Sequence, residues 1–294
     1  MPSSRPRRSV LYVPGANPRA LDKAMGLGAD VVILDLEDSV APAEKPAARA
    51  RVAALLAVPR HPHAPEIVVR INGPADGLGA ADLAAILPAR PDGVLVPKIA
   101  TAADLEAVRR SAAEAAPGAA TPIWAMIETA RAVADPLSIA LAADATYPLA
   151  ALVLGLNDLA VETGTRQLPG RAPMVPWLMN VLAGGRAGGV DVIDGVYNDL
   201  TDMAAFEAEC RQARDCGFDG KSLIHPSQIA AANSTFAPDA AAIEEARRIA
   251  ALFDDPGHQG LGVVSFEGRM VERLHAEAAK RLLARLEAIQ ARNS

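Results

Sequence analysis

Short apolar runs recur along the first three quarters of the chain, and each is followed by a stretch with helical spacing. The runs are Ser9–Val13, Val31–Leu34, Glu66–Gly73, Gly93–Lys98, Ile123–Thr129, Ala151–Asp158, Asp191–Val196 and Asp219–Pro226. They are nearly continuous in apolar residues rather than alternating, which is what a parallel sheet covered on both faces requires. Between them, helix starts are marked by Asn17-Pro18, Pro42 and Thr101, with helices expected to run through Leu27, Leu56 and Ala115. Eight strand signals alternating with helices predict an α/β fold, a (β/α)8 TIM-type barrel over residues 1–235. The remaining 236–294 predict C-terminal helices, among them Asp239–Phe253 and Met270–Gln290, joined by a Gly-rich stretch from Gly257 to Gly262. This extension exceeds a minimal barrel and is expected to serve as a lid or an oligomer contact.

Polar and charged residues close several of the runs. In such barrels functional groups gather at the C-terminal ends of strands, and that rule selects Asp35, Glu37, Asp38, Arg70, Lys98, Glu128 and Asp158. Glu128 and Asp158 close two successive runs. Two hard oxygen ligands on one rim suit Mg2+, which takes one or two carboxylates and fills its other positions with water and substrate. Arg70 ends a buried run, where a guanidinium is costly without an anion. It is expected either to pair with Asp35 or Glu37, or to meet a substrate carboxylate or developing oxyanion with its planar fork.

Composition narrows the class. The 294-residue chain carries a net charge of −6 with 51% hydrophobic and 3% aromatic residues. Neither a basic surface nor aromatic stacking platforms are available for nucleic acid. No apolar stretch approaches the ~20 residues of a membrane span, and Pro14-Gly15 cuts short any signal-peptide core, so a cytoplasmic protein is expected. Cys210 and Cys216 fall on different faces of one expected helix, which predicts reduced thiols. No Ser/His/Asp arrangement, Cys-x-x-Cys pair or Walker-type loop occurs.

Several motifs stand in a familiar order: Arg8-Ser9-Val10-Leu11-Tyr12-Val13-Pro14-Gly15, Leu34-Asp35-Leu36-Glu37-Asp38-Ser39-Val40 with Lys45 and Arg49, Val96-Pro97-Lys98, Ile127-Glu128-Thr129, Gly155-Leu156-Asn157-Asp158-Leu159 and Gly220-Lys221-Ser222-Leu223-Ile224-His225-Pro226-Ser227-Gln228-Ile229. Together they resemble the citrate lyase beta-subunit-like branch of the HpcH/HpaI aldolase superfamily. The resemblance implies a barrel that holds Mg2+ through Glu128 and Asp158 and cleaves or forms a carbon-carbon bond beside a thioester. The expected substrates are malyl, citramalyl or citryl thioesters of coenzyme A or an acyl carrier protein, and the expected products an acyl thioester and a 2-keto acid. Arg70 would contact the keto acid, with Glu128 also on the substrate side, and Gly15 and Lys23 would lie toward the carrier's phosphates.

Near the C-terminus, the family's lyases often carry Gly-x-Met-Ile/Val-Asp-x-Pro, whose aspartate reaches a neighbouring subunit as acid/base. Here the segment reads Gly268-Arg269-Met270-Val271-Glu272-Arg273-Leu274. Glu272 either takes over that proton transfer or stands on a helix surface. The resemblance implies a homo-oligomer, most simply a trimer. The first expectation is a Mg2+-dependent carbon-carbon lyase. Two alternatives stand beside it: a thioester hydrolase using the same metal site, and a non-catalytic thioester-binding subunit.

Overall fold

The computed structural model describes residues 5–61, 63–73, 77–142, 144–258 and 260–293. They fall into two units: residues 7–236, and residues 237–293 together with Arg5 and Pro6.

The first unit is the closed parallel barrel expected from the apolar runs, with eight strands in sequential order. They are β1 (Ser9–Pro14), β2 (Val31–Asp35), β3 (Glu66–Arg70), β4 (Gly93–Val96), β5 (Ile123–Ile127), β6 (Leu149–Leu154), β7 (Asp191–Asp194) and β8 (Gly220–Leu223). β1 closes the ring on β8 through the pair Val10 and Ser222. Strand side chains alternate between faces. Val10, Val31, Ile33, Val68, Leu95, Trp124, Met126, Val153 and Ile193 therefore fill the interior, while Leu11, Val32, Leu34, Ile67, Val69 and Ala125 pack outward under the helices. Both faces of every strand are buried, which is why the runs read as continuous rather than alternating.

Helix starts follow the capping residues. Asn17 accepts from the Ala20 amide, and Asp104 accepts from both the amide and hydroxyl of Thr101, so orphan donors at these helix ends are satisfied locally. The first helix is shorter than expected, ending at Ala24. Strand β6 begins at Leu149 and stops at Leu154, and Gly155 starts the helix Leu156–Thr163. Asp158 thus sits in the first turn of a helix, not at a strand end. A carboxylate there is favoured by the amides of that turn.

The second unit pairs the helices Ala240–Leu252 and Arg273–Asn293 with an antiparallel hairpin, β9 (Val263–Phe266) and β10 (Arg269–Glu272). This corrects the expectation of a helix from Met270: residues 270–272 are strand. The hairpin turn explains the difference. Glu267 and Gly268 both have positive φ, 49° and 76°, the geometry of a two-residue turn matched to strand twist. Gln259, within the Gly-rich stretch, lies outside the described residues. Both cysteines are free; burial pushes the Cys210 thiol up to about 12. Among the described residues no helix is long and apolar enough to cross a membrane.

Candidate active site at the strand ends

The carboxyl ends of β2, β3, β4 and β5 and the first turn after β6 bring Asp35, Glu37, Asp38, Arg70, Lys98, Glu128 and Asp158 to one rim of the barrel. Two cavities open there and share Asn157 and Asp158. One, of about 380 Å³, is lined by Tyr12, Asp35, Asp38, Arg70, Met126, Leu154 and neighbouring residues. The other, of about 460 Å³, is lined by Lys98, Glu128, Thr129, Asn157, Asp158, Val161 and Glu162.

Arg70 takes the first of its two expected roles, pairing with both Asp35 and Glu37. Its Nε and Nη2 donate to the two oxygens of Asp35, both at 2.7 Å, a bidentate fork made possible by the β2–β3 register that sets Asp35 opposite Arg70. Nη1 lies 3.1 Å from Glu37 and 3.4 Å from Asp38. The guanidinium rests 4.9 Å from the centre of the Tyr12 ring, a cation–π contact in a desolvated place. Burial disfavours the guanidinium's charge, but the Asp35 contact outweighs it and raises its pKa; Asp35 is held below the usual carboxylate range in return.

Glu128 is buried and Asp158 exposed. Glu128 accepts from the Lys98 amide at 2.6 Å. Burial, with Asp158 and Glu37 adding like charge, pushes its carboxyl up to about 7 despite that hydrogen bond. Gly155 is what lets Glu128 in: a Cβ there would stand 2.5 Å from both Cβ and Oε2 of Glu128. Among the described residues no three His, Cys, Asp or Glu side chains form a metal cage. A cation here would thus have two protein carboxylates and draw its other ligands from water and substrate, the habit of Mg2+. The rim carries six carboxylates (Asp35, Glu37, Asp38, Glu128, Asp158, Glu162) against two cations (Arg70, Lys98), an imbalance that a divalent ion would offset.

Other expected site residues stand apart from these cavities. Gly15 follows β1, and its amide donates to the Asp35 carbonyl at 2.8 Å, so close that a Cβ would lie 2.7 Å from that oxygen. That approach alone explains a glycine. Lys23 is exposed on the first helix. Glu272 is exposed at the end of β10 in the second unit, its amide donating to His275 Nδ1; it is a strand residue rather than part of a helix surface.

Sequence reasoning missed Tyr12 and Met126, the soft floor under Arg70, although strand parity with Val10 and Trp124 points both inward. It also missed a brace behind the rim. Lys45 Nζ donates to the carbonyls of Leu36 and Glu37 at 3.1 and 3.0 Å and to Asn72. Asn72 in turn donates to Leu36 and to buried Asp82, which Arg49 also holds.

A parallel barrel with acidic groups and one buried arginine at its C-terminal rim defines the class as a barrel enzyme with a metal-ready site. The chain belongs to the HpcH/HpaI aldolase/citrate lyase family, whose model matches residues 8–226. It is 46% identical over 289 residues to a (3S)-malyl-CoA thioesterase of Cereibacter sphaeroides, covering 98% of this chain and 97% of that one. It is 33% identical to the citrate lyase subunit beta of Escherichia coli K12, covering 97% and 94%. Among solved structures, CitE of Mycobacterium tuberculosis in complex with magnesium, acetoacetate and coenzyme A matches at 30% identity with a TM-score of 0.74, covering 97% of this chain and all of that one.

Proposed function

We propose that the rim is the active site of a Mg2+-dependent enzyme that acts on a malyl-type coenzyme A thioester and hydrolyses it. The convergence of Glu128 and Asp158 on one cavity beside Arg70 carries the reading. The likeness to a malyl-CoA thioesterase over almost the whole chain favours hydrolysis over the carbon-carbon cleavage first expected from the sequence. The lyase reading keeps support from the citrate lyase relatives.

Glu128 and Asp158 would hold the cation, which supplies Lewis-acid polarisation of the acyl oxygens and a template for them. Glu128 must be ionised for this, and a dication is what offsets the burial that pushes its carboxyl up. Arg70, fixed in direction by Asp35 and Tyr12, would offer the second N–H of Nη2 to oxygens that gain charge as the bond breaks. Glu37 and Asp38 cap its outer end. Glu272, supplied by a second copy of the chain, is the acid/base in this reading. Gly15 and Lys23 are assigned to the coenzyme side.

Incubation with (3S)-malyl-CoA and Mg2+ tests the assignment, with free thiol and keto acid followed separately. Hydrolysis consumes one water and gives malate and CoA thiol with no keto acid. Carbon-carbon cleavage gives acetyl-CoA and glyoxylate with no free thiol. Chelation by EDTA should abolish either. Tight binding without any product would overturn the catalytic reading in favour of a binding subunit.

A further inference from the structure

Of the charged rim residues described above, Lys98 alone has a left-handed backbone, at φ 56°. A side chain with a Cβ adopts that region where its surroundings over-determine it. Here two contacts do so. The Lys98 amide donates to Glu128 at 2.6 Å, and its ammonium lies 3.3 Å from Glu37. The backbone thus holds a metal-ligand candidate while the side chain crosses toward the Arg70 end of the site.

The ammonium is not used up by this. The Lys98 side chain is 56% exposed, against 10% for Arg70. Arg70 is committed to Asp35 in a bidentate pair, and Glu37 already has Arg70 at 3.1 Å. In the cavity that holds Glu128 and Asp158, every other charged lining residue is an acid, Glu162 included. A substrate whose acyl part carries a free carboxylate needs a cation that is both accessible and near the metal ligands. Lys98 meets both conditions.

We propose that Lys98 anchors the free carboxylate of the acyl or keto-acid part of the substrate, an inference that rests on the active-site reading above. Its three rotatable donors suit a carboxylate whose orientation is set elsewhere. A role limited to pairing with Glu37 would not need an ammonium this exposed.

Lys98→Gly isolates the side chain, because glycine adopts positive φ freely and keeps the amide that Glu128 accepts. Calorimetry on the full chain would measure Mg2+ alone, then pyruvate and oxaloacetate in saturating Mg2+, then CoA. Lys98→Gly should bind Mg2+ as tightly as wild type or more tightly, since a repelling cation is gone. Keto-acid affinity should fall about 10- to 100-fold, the range for losing one hydrogen bond to a charged group. CoA affinity should not change, and Lys98→Arg should recover part of the loss. Unchanged keto-acid affinity in Lys98→Gly removes this inference alone. A loss confined to CoA, or a joint loss of Mg2+ and keto acid with a lowered Tm, also overturns it. Wild type that binds Mg2+ but neither keto acid overturns this inference alone, and wild type that binds no Mg2+ brings down the reading of the site and this inference with it.

Discussion

The barrel has an ionic cluster at each end, and the two are built to opposite ends. At the floor, below the first interior layer, Arg7 donates to both oxygens of Glu66 at 2.7 and 2.9 Å and to Asp191 at 2.9 Å. A further donor goes to the Ala150 carbonyl, and the guanidinium stacks 4.5 Å from the Trp124 ring centre. Arg7, Glu66 and Asp191 are all buried. At the rim, Arg70 is similarly paired, but Glu128 is buried with one hydrogen bond from an amide, and Asp158 and Lys98 face open cavities. The same residue types close one end and leave the other with ligand-seeking charge. Paired charge in a dry place favours specificity of the fold, whereas accessible charge at the C-terminal end is what the proposed chemistry would use.

The contrast is broken most directly at the rim. Asp158→Ala should lower Mg2+-dependent turnover on the order of 10³-fold, the upper range for losing a charge-stabilising group. The Tm in EDTA should hold or rise, because like charge beside Glu128 is removed. Unchanged Mg2+ affinity and turnover would show that Asp158 is a helix-start residue only.

At the floor the outcome should invert. Arg7→Met leaves Glu66 and Asp191 buried without their cation, a loss on the order of 3–5 kcal/mol that lowers Tm by about 10 °C. Turnover at a temperature where the variant is folded should match wild type. A variant that loses turnover while holding its Tm would mean that the two ends are coupled and the contrast is false.

How much of this was legible before the structure follows from range. The barrel was, because each strand's continuous apolar run is a local record of burial on two faces. Arg70 and Glu128 were placed on the rim by one rule, that polar residues closing a buried run lie there, whereas Asp158, expected by the same rule, reaches the rim from the first turn of the next helix. Their partners were not legible. That Arg70 spends two donors on Asp35 depends on the β2–β3 register, and Glu128 owes its place to the missing Cβ of Gly155, across a strand pair. The hairpin at Val263–Glu272 was hidden for a different reason: its turn is Glu267-Gly268, without the Asn-Gly or Asp-Gly pair that signals such turns. Helix-prone residues beyond it invited a helix one turn too early.

The two ends should also separate by pH. Without metal, burial holds the Glu128 carboxyl up to about 7, above its unfolded value. A raised folded pKa means stability that is fully present below the unfolded pKa, near 4.3, and lost as pH rises through the folded one. In EDTA the barrel should therefore lose on the order of 1–3 kcal/mol between about pH 4.5 and 7. Glu128→Gln should flatten that fall, and saturating Mg2+ should reverse it, since the cation binds the ionised form. An EDTA profile identical in wild type and Glu128→Gln would remove Glu128 as the origin.

The smallest effect tests whether the rim depends on shape as well as charge. Gly155 has an ordinary negative φ, −104°, so alanine meets no backbone penalty there. What it meets is Glu128: the added methyl would stand 2.5 Å from Cβ and Oε2 of that side chain, and 3.2 Å from Met126 Cε. The methyl and a buried carboxylate cannot share the place, so Glu128 must turn while all ligands, charges and strands remain. Gly155→Ala should weaken Mg2+ about tenfold, as changes beside metal ligands do, with a Tm loss of about 1–3 kcal/mol equivalent from overpacking. Gly93 supplies the matched control at the floor, where an added Cβ would stand 3.0 Å from the Trp124 indole nitrogen. Gly93→Ala should lower Tm and leave Mg2+ affinity alone. If both variants lose stability and neither shifts Mg2+ affinity, the cation does not bind where Glu128 points.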